Sequence, residues 1–63
     1  MPKKYRLYDT YEGLERLGEF DTMREVRREA VKRDKETDGE CYLIVSRFER
    51  STGAYRVLQG WTY

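Results

Sequence analysis

The chain has 63 residues, of which 40% are charged and 14% aromatic, and its 13 Lys and Arg nearly balance 12 Asp and Glu for a formal net charge of +1. That length makes one small domain, residues 1–63, which buries only about 60% of the surface its unfolded chain exposes. With no His, the commonest general base and metal ligand is missing, and one Cys without His excludes the zinc-finger spacings.

The charge fraction alone would suggest disorder, but the aromatics and the β-branched run YLIV argue for a packed sheet. The near balance of charge counts against a dedicated nucleic-acid binder. No apolar run approaches the ~20 residues that span a bilayer, and MPKKYRLY has no apolar signal-peptide core. The expectation is therefore a cytoplasmic protein with no membrane role. Cys41 has no partner for an internal disulfide and reads as a small buried hydrophobe.

Lys4 to Asp9 reads as a strand, with Tyr5 and Leu7 on one face and Arg6 and Tyr8 on the other. A loop at Tyr11-Glu12-Gly13, with Gly13 left-handed, sets Tyr8 opposite Arg16 and Leu7 opposite Leu17. Leu17 and Phe20 are then out of phase, and a bulge at Gly18 restores them to one face.

Thr22 to Glu36 is the segment with helical character. Thr22 and Glu25 form a Thr-x-x-Glu capping box, and Gly39 is the natural stop. At 100° per residue, Met23, Val26, Ala30 and Val31 span an arc of roughly 140°, with Arg27 inside it. Arg24, Arg28, Lys32 and Lys35 run along one edge, beside Glu25, Glu29 and Glu36. Glu29 and Arg33 have the favourable i,i+4 order, whereas Arg24–Arg28 and Arg28–Lys32 are like-charge pairs that cost stability.

Cys41 to Glu49 is the strongest strand pattern. Ser51-Thr52-Gly53 reads as a three-residue hairpin loop and Tyr55 to Tyr63 as the last strand. Pairing Arg50 with Ala54 puts Cys41, Leu43, Val45, Val57, Gln59, Trp61 and Tyr63 on one face. Tyr42, Ile44, Ser46, Phe48, Arg56, Leu58 and Thr62 then share the other, and a slip of one residue would invert the relation.

These elements predict an α+β fold, ββαββ: two β-hairpins joined by one amphipathic helix packed on one face of an antiparallel or mixed sheet. If the second and third strands are parallel, the helical crossover is right-handed. One helix of about four turns cannot cover both faces of four strands, and the expectation is that it covers the Leu43, Val45, Val57 and Trp61 side.

No Gly-rich phosphate loop or Gly-x-Ser-x-Gly elbow occurs, and Ser46 and Ser51 have no evident activating base. Asp34 and Asp38, a carboxylate pair at the helix end, read as solvated. No enzyme activity, cofactor, metal or small-molecule substrate is expected. The run GEFDTMREVRREA, through Gly18, Phe20, Thr22 and Ala30, resembles the strand-to-helix junction of the arm-type DNA-binding domains of phage and transposon integrases. The likeness covers about a quarter of the chain. In that family three strands precede the helix, whereas two precede it here.

Two functions fit. The first is a protein-interaction module, of the size of the small regulators and inhibitors that phages and mobile elements carry. It would act on a protein partner or on a second copy of itself through an apolar sheet face of Tyr42, Ile44, Phe48, Arg56 and Leu58. The second is nucleic-acid binding through Arg24, Arg28, Lys32 and Lys35, with Arg6, Arg16 and Tyr8 nearby on the sheet.

Overall fold

The structure, a computed structural model, describes residues 2–63. Its elements are β1 (Tyr5–Asp9), β2 (Glu15–Phe20), α1 (Met23–Glu36), β3 (Leu43–Glu49) and β4 (Ala54–Val57). The four strands form one sheet in the order β2-β1-β3-β4, each antiparallel to its neighbours. This is the expected ββαββ fold. β2 and β3 both flank β1, so they are parallel to each other, and α1 makes the crossover between them.

Local chemistry fixes both helix ends. Thr22, extended at φ −132°, accepts a hydrogen bond from the Glu25 N–H at 3.3 Å, which satisfies one donor of the first turn. At the far end Gly39 N–H donates to Asp34 O at 2.9 Å and Asp38 N–H to Lys35 O at 3.3 Å, the Schellman pattern. The residue in the left-handed cap position is Asp38, at φ +56°, one residue before the Gly39 that the sequence points to.

The helix covers the side of the sheet that carries Leu43 and Val45. Tyr5, Leu7, Val26, Ala30 and Val45 are buried there, with Leu17, Phe20, Met23, Leu43, Leu58 and Trp61 packed around them. The inward stripe is Met23, Val26, Ala30 and Arg33. Val31 and Arg27, both expected on it, point outward and are exposed. An arginine takes the place of an apolar residue because Asp9, buried on β1, faces it: Arg33 Nε donates to Asp9 Oδ2 at 2.9 Å and Nη2 to Glu15 Oε1 at 3.2 Å. Arg33 therefore spends its charge on the sheet and not on Glu29.

In the first hairpin Tyr8 faces Arg16 as expected, but the register shifts between Leu7 and Tyr8, so Leu7 faces Gly18 and Leu17 is the extra residue of a bulge. The bulge brings both Leu17 and Phe20 to the core side. Gly18 sits under the Phe20 ring: a Cβ there would lie 2.8 Å from Phe20 Cζ.

The second hairpin differs from expectation by one residue. Glu49 faces Ala54, not Arg50, because the connection is the four residues Arg50 to Gly53, closed by Gly53 N–H to Glu49 O at 2.8 Å. A left-handed Gly53, at φ +71°, serves this loop as well as the shorter one. The slip exchanges the faces of β4. Val57 joins the side away from the helix, opposite Ser46, while Arg56 faces Arg47 on the helix side and Leu58 packs on the core. β4 also ends at Val57. The residues after it turn at Gly60, φ +69°, and lie along the helix side, where Trp61 joins the core and the Tyr63 hydroxyl donates to Asp34 Oδ1 at 3.1 Å.

Candidate interaction surfaces

The side of the sheet opposite the helix is uncovered. Alternation along each strand puts Arg6 and Tyr8 of β1, Arg16 and Glu19 of β2, Ile44, Ser46 and Phe48 of β3, and Tyr55 and Val57 of β4 on it. Tyr42, just before β3, continues the row. Tyr42 is 66% exposed and Val57 45%, whereas Tyr8, Ile44, Phe48 and Tyr55 are half-buried.

Aromatic and charged contacts order this face. The Phe48 and Tyr55 rings meet edge to face, with centroids 5.4 Å apart. Arg6 Nε donates to Glu19 Oε2 at 3.0 Å, and its guanidinium carbon lies 3.8 Å from the Tyr55 ring centroid. The Glu19 hydrogen bond raises the Arg6 pKa against partial desolvation and, reciprocally, Arg6 holds the Glu19 carboxyl below its ordinary value. Arg16 approaches Glu19 at 4.0 Å from the other side. Beneath this layer Ser46 is 4% exposed, and its hydroxyl has no hydrogen-bond partner.

The helix offers a different surface. At 100° per residue, Arg24, Arg28, Lys32 and Lys35 occupy an arc of roughly 80° pointing away from the Val26–Ala30 stripe. All four are exposed, and none pairs with a carboxylate among the described residues.

Of the expected protein-interface residues, Tyr42, Ile44 and Phe48 share the open face, but Leu58 and Arg56 do not, because the β4 register moves them to the helix side. Tyr8, Tyr55 and Val57 take their places. Of the expected basic residues, Arg24, Arg28, Lys32 and Lys35 lie together, whereas Arg6 and Arg16 are on the far side of the sheet and engage Glu19.

Asp9 joins the two ends of the fold. Its Oδ1 accepts from the Tyr11 N–H at 3.0 Å and the Tyr42 N–H at 3.1 Å, and its Oδ2 from Arg33. Burial pushes the Asp9 carboxyl up, but the two backbone donors and Arg33 more than offset it, so its pKa lies below the ordinary value. The Tyr42 contact sets where the chain enters β3 and so aims the open face. An acidic residue in an otherwise apolar β-strand phase is the signal for it in the sequence.

Near the helix end, burial and the hydrogen bond to Asp34 push the Tyr63 hydroxyl up to about 12. Cys41 Sγ is half-buried and 3.8 Å from the same Asp34 oxygen. Among the described residues no group of His, Cys, Asp or Glu is placed to hold a metal ion, and no helix is long and apolar enough to cross a membrane. Set against protein-family models, curated proteins and solved structures, the chain matches none.

Proposed function

We propose that this chain is a non-catalytic protein-interaction module, of the kind that serves as a small regulator or inhibitor, and that its open sheet face binds a protein partner. The occupant that the face itself suggests is a second copy. The observation that carries this reading is one-sidedness: α1, Leu58 and Trp61 all pack on the Leu43–Val45 side, while the other side keeps Tyr42, Ile44, Phe48, Tyr55 and Val57 together without cover. This apolar face, crossed by Arg6 and bordered by Arg16 and Glu19, has the anatomy of an interface.

Fully burying one large apolar side chain is worth about 1.5–3 kcal/mol. Ile44, Phe48 and Tyr55 are already half-buried, and association itself is costly, so the balance favours a weak to moderate complex. Arg16 and Glu19 lie side by side at the rim, and a twofold axis can set each against its opposite in the other copy.

The test is sedimentation equilibrium on the chain and on an Ile44→Ser/Phe48→Ser variant. Concentration-dependent association that the variant loses, with its circular dichroism retained, supports the reading. Equal behaviour of the two proteins removes it.

A second reading rests on the helix. Arg24, Arg28, Lys32 and Lys35 are exposed and free of carboxylate partners among the described residues, as phosphate contacts to nucleic acid require. Binding of that kind must weaken steeply between ~50 and ~200 mM salt. A gel shift without that dependence contradicts it.

A further inference from the structure

The β3–β4 hairpin borders a groove of about 780 Å³ that no helix residue lines. Lys4, Arg47, Arg50 and Arg56 face it with Leu58, and Glu49 is the one carboxylate among its lining residues. Four cations around one carboxylate is a local excess in a chain whose charges otherwise nearly cancel.

The hairpin register makes this excess costly. Arg47 and Arg56 are direct cross-strand partners, and like charges directly opposite destabilise a strand pair. Glu49 relieves only one of them, at 3.4 Å from Arg56 Nη1, and leaves the Arg56 side chain 80% exposed. Lys4, Arg47 and Arg50 pair with no carboxylate among the described residues. A hairpin shaped for stability alone would oppose arginine with glutamate. Two arginines face to face and lightly neutralised are poised to close on an anion.

We propose that this groove is a phosphate site for ligands with two or more consecutive phosphate groups. Guanidinium forks match phosphate oxygens in pairs, which gives charge and direction together. Several cations lining one half-open groove favour densely spaced negative charge. Carboxylates on one face of an extended peptide recur only every second residue, about 6.5–7 Å apart, so fewer of them fit. Leu58 provides an apolar wall beside the charged one. The groove shares Phe48 and Val57 with the edge of the open face, but its cations, Lys4, Arg47, Arg50 and Arg56, belong neither to that apolar patch nor to the basic edge of the helix.

The test is titration of the isotope-labelled chain at about 50 mM salt with two probes, inorganic tripolyphosphate and a single-stranded oligonucleotide of about ten nucleotides. Amide shifts centred on Arg47, Glu49, Arg56 and Leu58 are expected. Saturation by tripolyphosphate identifies a small polyphosphate ligand, whereas saturation by the oligonucleotide alone, whose phosphates are spaced about as widely as the peptide carboxylates, would overturn the proposal. Arg47→Gln/Arg56→Gln should weaken binding about tenfold or more, given what charge-assisted hydrogen bonds are worth. It should also melt no lower than the parent, since it removes a like-charge pair. Ile44→Ser, which disables the open face, should leave phosphate binding unchanged. The proposal is overturned by no binding of either probe, by shifts centred on Arg24 to Lys35, by an unaffected double variant, or by equal affinity for a polyglutamate peptide.

Discussion

The guanidinium of Arg6 on β1 lies 3.8 Å from the ring centroid of Tyr55 on β4, with β3 between them. The same side chain holds Glu19 on β2, and the Tyr55 hydroxyl donates to Lys3 O at 2.6 Å. One residue thus ties three strands across the open face and roofs the fourth. Arg6→Lys keeps the charge but loses the flat stacking surface and the fork. The expected outcome is a melting temperature lower by a few degrees and faster amide exchange in β4. Unchanged exchange there would show that the stack does not brace the sheet.

Ser46 lies under that roof with an unpartnered hydroxyl. A buried polar group without a hydrogen bond costs about 1–3 kcal/mol, and removing it leaves a space of one oxygen. Ser46→Ala should therefore raise stability, by up to about 1 kcal/mol after the small packing loss. Denaturant titration reads this directly, and a clear loss of stability would mean that the hydroxyl has a partner in solution.

The pH dependence rests on two carboxylates, Glu19 on the open face and, more deeply buried, Asp9. The folded-state pKa of Asp9 is lowered, so its contribution is complete above the unfolded value of about 3.9 and is lost as the pH falls through the folded value. Stability should thus hold near neutrality and decline in acid. All three partners of Asp9 are donors, and an amide can accept from them with one oxygen only. Asp9→Asn should cost about 2–3 kcal/mol, a large share of the roughly 3–9 kcal/mol that 63 residues provide. It should also flatten the acid limb. An acid limb unchanged in the variant would place that dependence elsewhere.

Asp38 holds the left-handed cap position at φ +56°, where glycine is the favoured residue. It also puts negative charge at the negative end of the helix dipole. Asp38→Gly should stabilise the protein by about 0.5–1 kcal/mol, seen as a higher denaturant midpoint with an unchanged slope.

The parts of the fold readable from sequence are those fixed by neighbouring residues. Thr22 and Glu25 mark the helix start because capping is local. Leu17, Gly18 and Phe20 announce a bulge because their phase conflict has one economical solution. Arg33 escaped the helix stripe because its partner, Asp9, is 24 positions away. The β4 faces are not fixed by the local sequence, because a left-handed Gly53 closes loops of three or four residues equally well, and one residue moves Val57 and Leu58 to opposite sides. The strand order depends on β1 pairing with β3, a contact that no local signal encodes. The open face was legible on β3, where Tyr42, Ile44 and Phe48 are in phase, and not on β4 for the same reason.

The most direct test of the open face as an interface is an isotope-filtered NOE experiment on a mixed labelled and unlabelled sample. It should be run at about 1 mM, where a complex of only about −4 kcal/mol is half formed. Self-association through this face predicts contacts from Ile44 and Val57 of one copy to Tyr42 and Phe48 of the other. A strictly monomeric chain with no intermolecular contacts, or contacts confined to the Arg24–Lys35 side of the helix, would contradict it.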